Sequence, residues 1–245
     1  MHPSEIHYLP LSLPFFFVLV GLLAVVVALV ETGVLRYAYA SIGIDRRRLL
    51  ILLLLCLAGS YVNIPVARLP AHPVVSGQAV DFFGMQYVIP VVVNWPGTVV
   101  AVNVGGALIP ALLSFYLVVK NALWGPALAG IAVVAAVCHM LAHPVPGLGI
   151  AEPVFVPPVV TTVVALMLSH RHAAPLAYVS GSMGTLVGAD LLNLDKIQGL
   201  GAPVASIGGA GTFDGIFVTG ILAVVLASLV VVREDAQRQS RHDPP

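Results

Sequence analysis

The chain has 245 residues, of which 59% are hydrophobic and only 9% are charged. Soluble domains carry about 25% charged residues. This composition therefore excludes an ordinary soluble domain and predicts an integral membrane protein, with membrane lipid as a partner. The formal net charge is zero, so no basic surface is expected for a phosphate backbone, and nucleic acid is excluded as a partner.

Apolar runs long enough to cross a bilayer occur along the whole chain. A helix of about 20 apolar residues covers the hydrocarbon layer. We therefore predict an all-α integral membrane helical bundle of about seven transmembrane helices, with six or eight as alternatives. It forms a single polytopic membrane domain over 1–232, followed by a cytoplasmic tail over 233–245 that we expect to be disordered. The predicted spans are 11–30, 49–66, 104–120, 123–142, 156–170, 175–192 and 213–232.

The stretch between the second and third predicted spans is not typical of a helix. Residues 87–106, YVIPVVVNWPGTVVAVNVGG, are rich in β-branched valine and are interrupted by Trp95, Pro96 and Gly97. This pattern favours two short strands around a turn. Open strands cannot lie in hydrocarbon, because their backbone groups would be unpaired. We expect either a short β-hairpin at the membrane surface or a re-entrant segment near 87–103.

The distribution of Lys and Arg predicts the orientation. Basic residues collect in cytoplasmic loops, and with seven spans only Arg68 and Lys196 fall on the side opposite the rest. This predicts a multi-pass protein of the cell membrane with its N-terminus outside and its C-terminus in the cytoplasm. The residues on the cytoplasmic side are Arg36, Arg46, Arg47, Arg48, Lys120, Arg171, Arg233, Arg238 and Arg241.

Asp190 and Asp214 are the candidate catalytic residues. A carboxylate within a span costs at least a few kcal/mol unless it pairs, protonates or faces water. Two close carboxylates cannot easily both ionise, so one can activate water while the protonated one polarises a carbonyl. The alternative is that each aspartate caps a helix end.

Glycine and amide residues surround these two acids. Asn193 follows Asp190 by three residues and so shares its helical face, from which it could orient the carboxylate. Gly181, Gly184 and Gly188 lie on one face and allow another helix to approach closely. Amides in spans also join helices by hydrogen bonds, and the glycine-rich stretches are either packing surfaces or places where the backbone unwinds. The supporting residues are Asn193, Gly188, Gly211, Gly215 and Asn103.

A second group of residues has the chemistry of a metal site. His139 and His143 are at i and i+4, and Glu152 follows in the next loop. Two imidazoles and a carboxylate can hold zinc or another divalent ion. The alternative is that His143, which precedes Pro144, marks the membrane interface. The sequence requires no cofactor and leaves a divalent metal open.

Three long motifs resemble an uncharacterised family. They are NVGGALIP (103–110), GTLVGADLLNL (184–194) and IGGAGTFDGIF (207–217). Together they are similar to a family of prokaryotic multi-spanning membrane proteins known only as a domain of unknown function. The resemblance implies an integral membrane protein and no particular activity.

The last motif is also distantly similar to the GxGD intramembrane aspartyl proteases, which include presenilin, signal peptide peptidase and prepilin peptidase. The likeness implies that Asp214 is the aspartate of the GxGD motif and that Asp190 is its partner on an earlier span. Phe213 stands where that motif has its second glycine, and Ala189 stands where a tyrosine often precedes the first aspartate.

Three functions fit these observations. The first is intramembrane hydrolysis of the aspartyl-protease type, acting on a transmembrane peptide through a carboxylate pair. The second is an ion- or proton-coupled transporter of a small solute, in which the same acids bind or relay the ion, because glycine- and proline-interrupted spans with buried acids also build carrier sites. The third is an assembly protein in which the acids are purely structural.

Overall fold

The computed structural model describes the chain from the first strand to the end of the last helix, with gaps. The predicted span 11–30 and the residues around Asp214 lie outside the described part. The described residues are 7–8, 40, 42–70, 72–82, 85–95, 97–145, 149–153, 155–197, 204–209 and 215–242.

Helices account for most of the described chain. In the helix Val156–Leu168 two prolines lie in the first turn, where a missing N–H leaves no helical bond unmade. The helices are α1 (Arg46–Gly59), α2 (Ile109–Asn121), α3 (Trp124–Leu141), α4 (Val156–Leu168), α5 (Ala173–Thr185), α6 (Leu194–Ile197) and α7 (Gly215–His242).

Two of these helices are joined to a π-helical turn. Val104–Leu108 leads directly into α2, and Leu186–Asp190 continues α5. A single 3₁₀ turn, Leu191–Asn193, then connects the second π-turn to α6. A π-turn widens the helix and changes the direction of the side chains that follow it, and such turns occur frequently at functional sites.

Strands that are far apart in sequence form a four-stranded sheet in the described part of the chain, in the order β1-β2-β5-β8. β2 is antiparallel to both β1 and β5, whereas β5 and β8 are parallel. The β2–β5 register places Asn63 opposite Asn103. The strands are β1 (His7–Tyr8), β2 (Val62–Arg68), β5 (Val99–Asn103) and β8 (Val204–Ile207).

The described residues also contain two separate hairpins. β3 (His72–Phe82) pairs with β4 (Met85–Trp95) along its whole length. β6 (His143–Val145) pairs with β7 (Gly149–Ala151). The expectation of an all-α fold is therefore wrong, since a small sheet accompanies the helices.

The strand prediction for 87–103 is right in type and wrong in pairing. Both β4 and β5 are strands, and Gly97, with φ of 100°, lies in the turn between them. They do not form a hairpin with each other. β4 pairs with the preceding strand β3, whereas β5 pairs with β2 and β8.

The centre of the helical bundle is α5. Every residue of α5 except Met183 is buried, and α2, α3, α4 and α7 all pack against it. Small residues make this possible: a Cβ placed on Gly184 would lie 2.6 Å from Val134 Cβ on α3, and one on Gly181 would lie 3.4 Å from Gly220 Cα on α7. A Cβ on Gly181 would also lie 3.2 Å from Thr161 Cγ2 on α4, so the predicted glycine face serves close packing towards three neighbouring helices rather than one.

α1 and α2 run antiparallel, so the end of α1 lies beside the start of α2 and the start of α1 lies beside the end of α2. A Cβ on Gly59, the last residue of α1, would lie 2.9 Å from the backbone nitrogen of Gly105 ahead of α2. At the other end, Gly43 lies beside the ammonium group of Lys120. We call these the sheet end and the lysine end.

Two helical segments are long and apolar enough to cross a membrane. They are Val104–Asn121 and Trp124–Leu141, and they correspond to the third and fourth predicted spans. Val156–Leu168 and Thr219–Val231 are apolar but shorter. Seven transmembrane helices are therefore not supported by the described part of the chain.

The predicted span 49–66 is a helix followed by a strand. α1 ends at Gly59, where the Ser60 hydroxyl donates to the Cys56 carbonyl over 2.7 Å. Residues 62–68 then form β2, in which β-branched side chains alternate with other residues. At the other end of the chain, α7 continues to His242, across most of the segment that we expected to be a disordered tail.

The close contact of α3 with α5 predicts different effects for two glycines. Gly184→Ala should lower the free energy of unfolding by about 1–3 kcal/mol, the usual cost of overpacking, because its methyl group would overlap Val134. Gly125→Ala on α3 is the control, since nothing lies within 4 Å of the added Cβ. Thermal unfolding of the purified protein in one detergent compares them. Equal melting temperatures for both variants would contradict this packing.

Candidate functional site

The Asn103 side chain joins the sheet to the start of α2. It is 1% exposed, and its Nδ2 donates to the Ser60 carbonyl over 2.8 Å and to Asn63 Oδ1 over 3.2 Å. Its Oδ1 accepts from the Gly106 backbone N–H over 2.8 Å. Asn103 therefore caps the first π-turn and ties it to the end of α1 and the start of β2, as expected for an amide that joins elements.

Asn63 extends this network to the last strand of the sheet. It is 2% exposed, and its Oδ1 accepts from both Asn103 Nδ2 and Ser206 Oγ. Three strands, β2, β5 and β8, thus contribute one polar side chain each to one buried cluster. Buried polar groups that are bonded to one another fix a single relative position of the elements that carry them.

Glycine backbones lie in direct contact around this cluster. A Cβ on Gly105 would overlap the Cys56 carbonyl oxygen, and one on Gly106 would overlap the Gly208 carbonyl oxygen. Gly208 and Gly209 both have φ near +90° (88° and 93°), a conformation that L side chains rarely adopt. The stretches 103–110 and 208–211 were expected either to pack or to unwind beside a site, and at 105–106 and 208 they pack on each other.

Asp190 reaches this junction from α5. It is the last residue of the second π-turn, and its side chain is half-buried. Its Oδ2 accepts from the Gly208 backbone N–H over 2.7 Å. The first candidate acid therefore lies where the bundle meets the sheet, bonded to the glycine turn that follows β8.

Asn193 does not perform the role expected from its spacing. It is 0% exposed, and its Nδ2 donates to the carbonyls of Gly188 and Ala189 over 2.8 and 3.0 Å. Its Oδ1 accepts from Lys196 Nζ over 2.7 Å. Asn193 therefore holds the π-turn that ends at Asp190, and its amide does not bond the Asp190 carboxylate directly.

Asp214 and Gly211 lie outside the described residues, and Gly215 is the first residue of α7. Ile216, which follows Gly215, is 1% exposed and packs in one apolar cluster with Leu186 at the start of the second π-turn and Ile207 at the end of β8. The start of α7 thus belongs to the same junction as Asp190.

The three residues of the expected metal site are not brought together. The described part of the chain contains no group of three His, Cys, Asp or Glu residues that could hold a metal ion. His143 is exposed at the start of β6, and His139 is half-buried on α3.

Glu152 instead lies near the Cys138 thiol. That thiol is 3.7 Å from Thr185 Oγ1 on α5. The i, i+4 spacing of the two histidines was misleading because α3 ends at Leu141, so His143 is no longer on the helix.

Sequence reasoning missed three contributors to the junction: the Ser206 hydroxyl, the Gly208 N–H and Lys196. The glycine pair at 208 and 209 was the signal for the second, because consecutive glycines permit a backbone turn that exposes an N–H. Nothing in the sequence pairs Ser206 with Asn63, since the contact joins residues 143 positions apart.

Residues 57–226 match the model of the family described as "Protein of unknown function (DUF1614)". The match covers more than half of the chain, and the chain therefore belongs to this family. No curated protein and no solved structure gives a significant match.

The hydrogen bonds of Asn103 predict a large effect of its removal. Asn103→Ala should lower the free energy of unfolding by at least about 1–3 kcal/mol, because it leaves the buried Ser60 carbonyl and the Gly106 N–H without the amide they bond. Asn121→Ala removes one bond, to the Leu117 carbonyl at the end of α2, and should cost less. Denaturant unfolding of both variants in the same detergent measures the difference. An equal loss of unfolding free energy in the two variants would show that Asn103 is not the main link between the sheet and α2.

Proposed function

We propose that this member of the DUF1614 family is a multi-pass membrane protein that carries a proton or a small cation, with Asp190 as the residue that binds it. The observation that carries the proposal is the position of Asp190. A half-buried carboxylate at the end of an interrupted helix is bonded to a backbone N–H of the sheet end.

The outer surface of the helices supports a membrane location. Only 28% of the segment Trp124–Leu141 is buried, and Leu128 and Met140 on it are 68% and 83% exposed. Exposed apolar side chains of this size are unfavourable in water and are expected where a helix faces lipid. A helix of equal apolarity in a soluble core would have most of its side chains covered.

The two ends of the bundle support the proposed orientation. Lys120 lies at the lysine end, and the exposed Arg47 and Arg48 lie at the start of α1, which is at the same end. Arg68 and Lys196 belong to the sheet end, on β2 and α6. With basic residues on the cytoplasmic side, the lysine end faces the cytoplasm, and the sheet end with Asp190 faces outwards.

The interrupted helices support a carrier more directly than a structural protein. Carriers build their ion sites where a transmembrane helix is broken, because the broken turn frees backbone groups and brings an acid to a cavity. Here the π-turn Val104–Leu108 opens α2 and the π-turn Leu186–Asp190 closes α5, so both helices depart from regular geometry where they reach the Gly106–Gly208 contact. Polar and acidic groups are costly inside a membrane protein, and a purely structural role could be filled without a carboxylate.

Intramembrane hydrolysis is the second candidate, and one observation favours it. Ile216 and Leu186 belong to the same apolar cluster, so a residue two positions after Asp214 and the first residue of the turn that ends at Asp190 lie in one region. A carboxylate pair acting on a transmembrane peptide needs such convergence of the last two long apolar segments.

The carrier proposal predicts that ion movement depends on Asp190. Wild-type protein in liposomes that enclose a pH-sensitive dye should acidify the interior when a potassium diffusion potential is applied. Asp190→Asn should reduce the rate to that of protein-free liposomes, because the amide cannot take up the proton. Asp195→Asn is the matched control, since Asp195 is an exposed acid on nearby α6, and it should retain the wild-type rate.

Equal rates for wild type and Asp190→Asn would exclude Asp190 as the proton-binding residue. The same assay with sodium or potassium gradients tests the other cations. If neither acidification nor cation flux depends on Asp190, the carrier proposal is wrong.

The hydrolase alternative predicts cleavage that requires both acids. Wild-type protein should cut a model transmembrane peptide in detergent, while Asp190→Ala and Asp214→Ala should each abolish the products seen by mass spectrometry. Asp195→Asn should leave cleavage intact. Products that persist in either alanine variant would show that a shared-proton carboxylate pair is not responsible.

A further inference from the structure

One buried amide connects an exposed lysine to the turn that carries Asp190. Asn193 accepts from Lys196 Nζ through Oδ1 and donates through Nδ2 to the carbonyls of Gly188 and Ala189. An ammonium group only donates and a carbonyl only accepts, so the amide of Asn193 has one orientation that satisfies both sides. Neither Asp nor Leu at this position could satisfy both.

The two carbonyls need this partner because of the turn they belong to. A π-turn followed by a 3₁₀ turn breaks the regular hydrogen-bonding ladder of the helix. Both Gly188 and Ala189 are buried, so water does not readily replace the amide. On its other side, Gly188 is pressed against α3, where a Cβ would lie 2.8 Å from Cys138 Cβ and would overlap the Ala135 carbonyl oxygen.

We propose that Lys196 is a positioning residue for Asp190, acting through Asn193. By fixing the Asn193 amide, Lys196 keeps the π-turn in the form that presents the Asp190 carboxylate to the Gly208 N–H. The inference rests on the proposed function only in taking Asp190 as the ion-binding residue. The contacts from Lys196 to the π-turn hold whatever ion is carried.

The charge of Lys196 matters because a hydrogen bond from an ammonium is stronger than one from a neutral donor. Lys196 is exposed whereas Asn193 is fully buried. The exposed end of this series of contacts therefore opens more easily than the buried end. Loss of the ammonium would release the Asn193 oxygen, and the amide could then turn away from the two carbonyls.

The experiment compares full-length wild type, Lys196→Met and Lys196→Arg in lipid nanodiscs. Hydrogen exchange of peptides that cover 186–193 reports the opening of the π-turn, and peptide-resolved labelling with a hydrophobic carbodiimide reports the environment of Asp190. Lys196→Met should speed exchange by roughly two- to tenfold, the factor that one hydrogen bond gives for a local opening. It should also change the labelling rate of Asp190.

Lys196→Arg keeps a charged donor and should restore both values to near wild type. Asp195→Asn, one residue away on α6, should change neither. Unchanged exchange in Lys196→Met would overturn the inference, as would a Lys196→Arg variant that exchanges as fast as Lys196→Met.

A double substitution tests whether Lys196 acts through Asn193. Asn193→Ala alone should speed exchange at least as much as Lys196→Met, and adding Lys196→Met to it should have no further effect. Additive effects would mean that Lys196 acts by another route. If Asn193→Ala does not fold, the comparison of methionine and arginine at 196 still decides. Failure of the Asp190 ion assay would leave these exchange results unaffected, so the two proposals fail separately.

Discussion

The close contact of glycine backbones at 105, 106 and 208 is what allows the sheet and the helical bundle to meet. Any side chain at Gly105 would overlap the end of α1, and any side chain at Gly106 would overlap the turn after β8. With the backbones this close, the Asn103 amide can reach both the Ser60 carbonyl and the Gly106 N–H. The polar cluster therefore depends on the glycines, because longer separations would leave its buried groups unpaired.

The same contact explains why both irregular turns lie at one end of the bundle. Val104–Leu108 connects the last residue of β5 to α2, and Leu186–Asp190 ends α5 beside the turn that follows β8. Each π-turn frees backbone groups that a regular helix would use internally, and each has an asparagine to bond them: Asn103 for the first and Asn193 for the second. Replacing either asparagine by an apolar residue would destabilise the folded state, since the backbone groups that the amide bonds are buried.

Sequence reasoning found features that depend on local composition. The apolar composition predicted membrane-spanning helices, of which the described residues contain two of sufficient length. The glycine spacing in α5 predicted close packing, and valine with Trp95–Gly97 predicted strands. It missed what depends on pairing between distant residues: β5 and β8 are parallel neighbours about 100 positions apart. The apolar run 49–66 was predicted as one helix, so the start of β2 within it was missed. Helices and strands in apolar surroundings have similar composition over so short a length.

Asp190 lies at the junction of sheet and bundle, but Asn193 does not have the position that regular helical spacing predicts. Counting three residues from Asp190 places Asn193 on the same face only if the helix is regular. The π-turn and the 3₁₀ turn change the rotation per residue, so Asn193 faces back to Gly188 and Ala189. The expected partner Asp214 lies outside the described residues, so the pairing of the two acids stays a prediction.

Asp190 is held by groups from two different parts of the molecule, and this has consequences for function. Its backbone belongs to the π-turn, which α3 and Asn193 hold in place from the bundle side. The N–H that its carboxylate accepts belongs to Gly208, whose position follows from the pairing of β8 with β5. A displacement of the sheet relative to α5 would therefore lengthen this hydrogen bond. Charge on the carboxylate favours the bond, since a bond to an ionised acceptor is stronger. Under the proposed carrier function, a proton on the carboxylate would weaken this bond, so occupancy of Asp190 would be coupled to the contact between sheet and bundle.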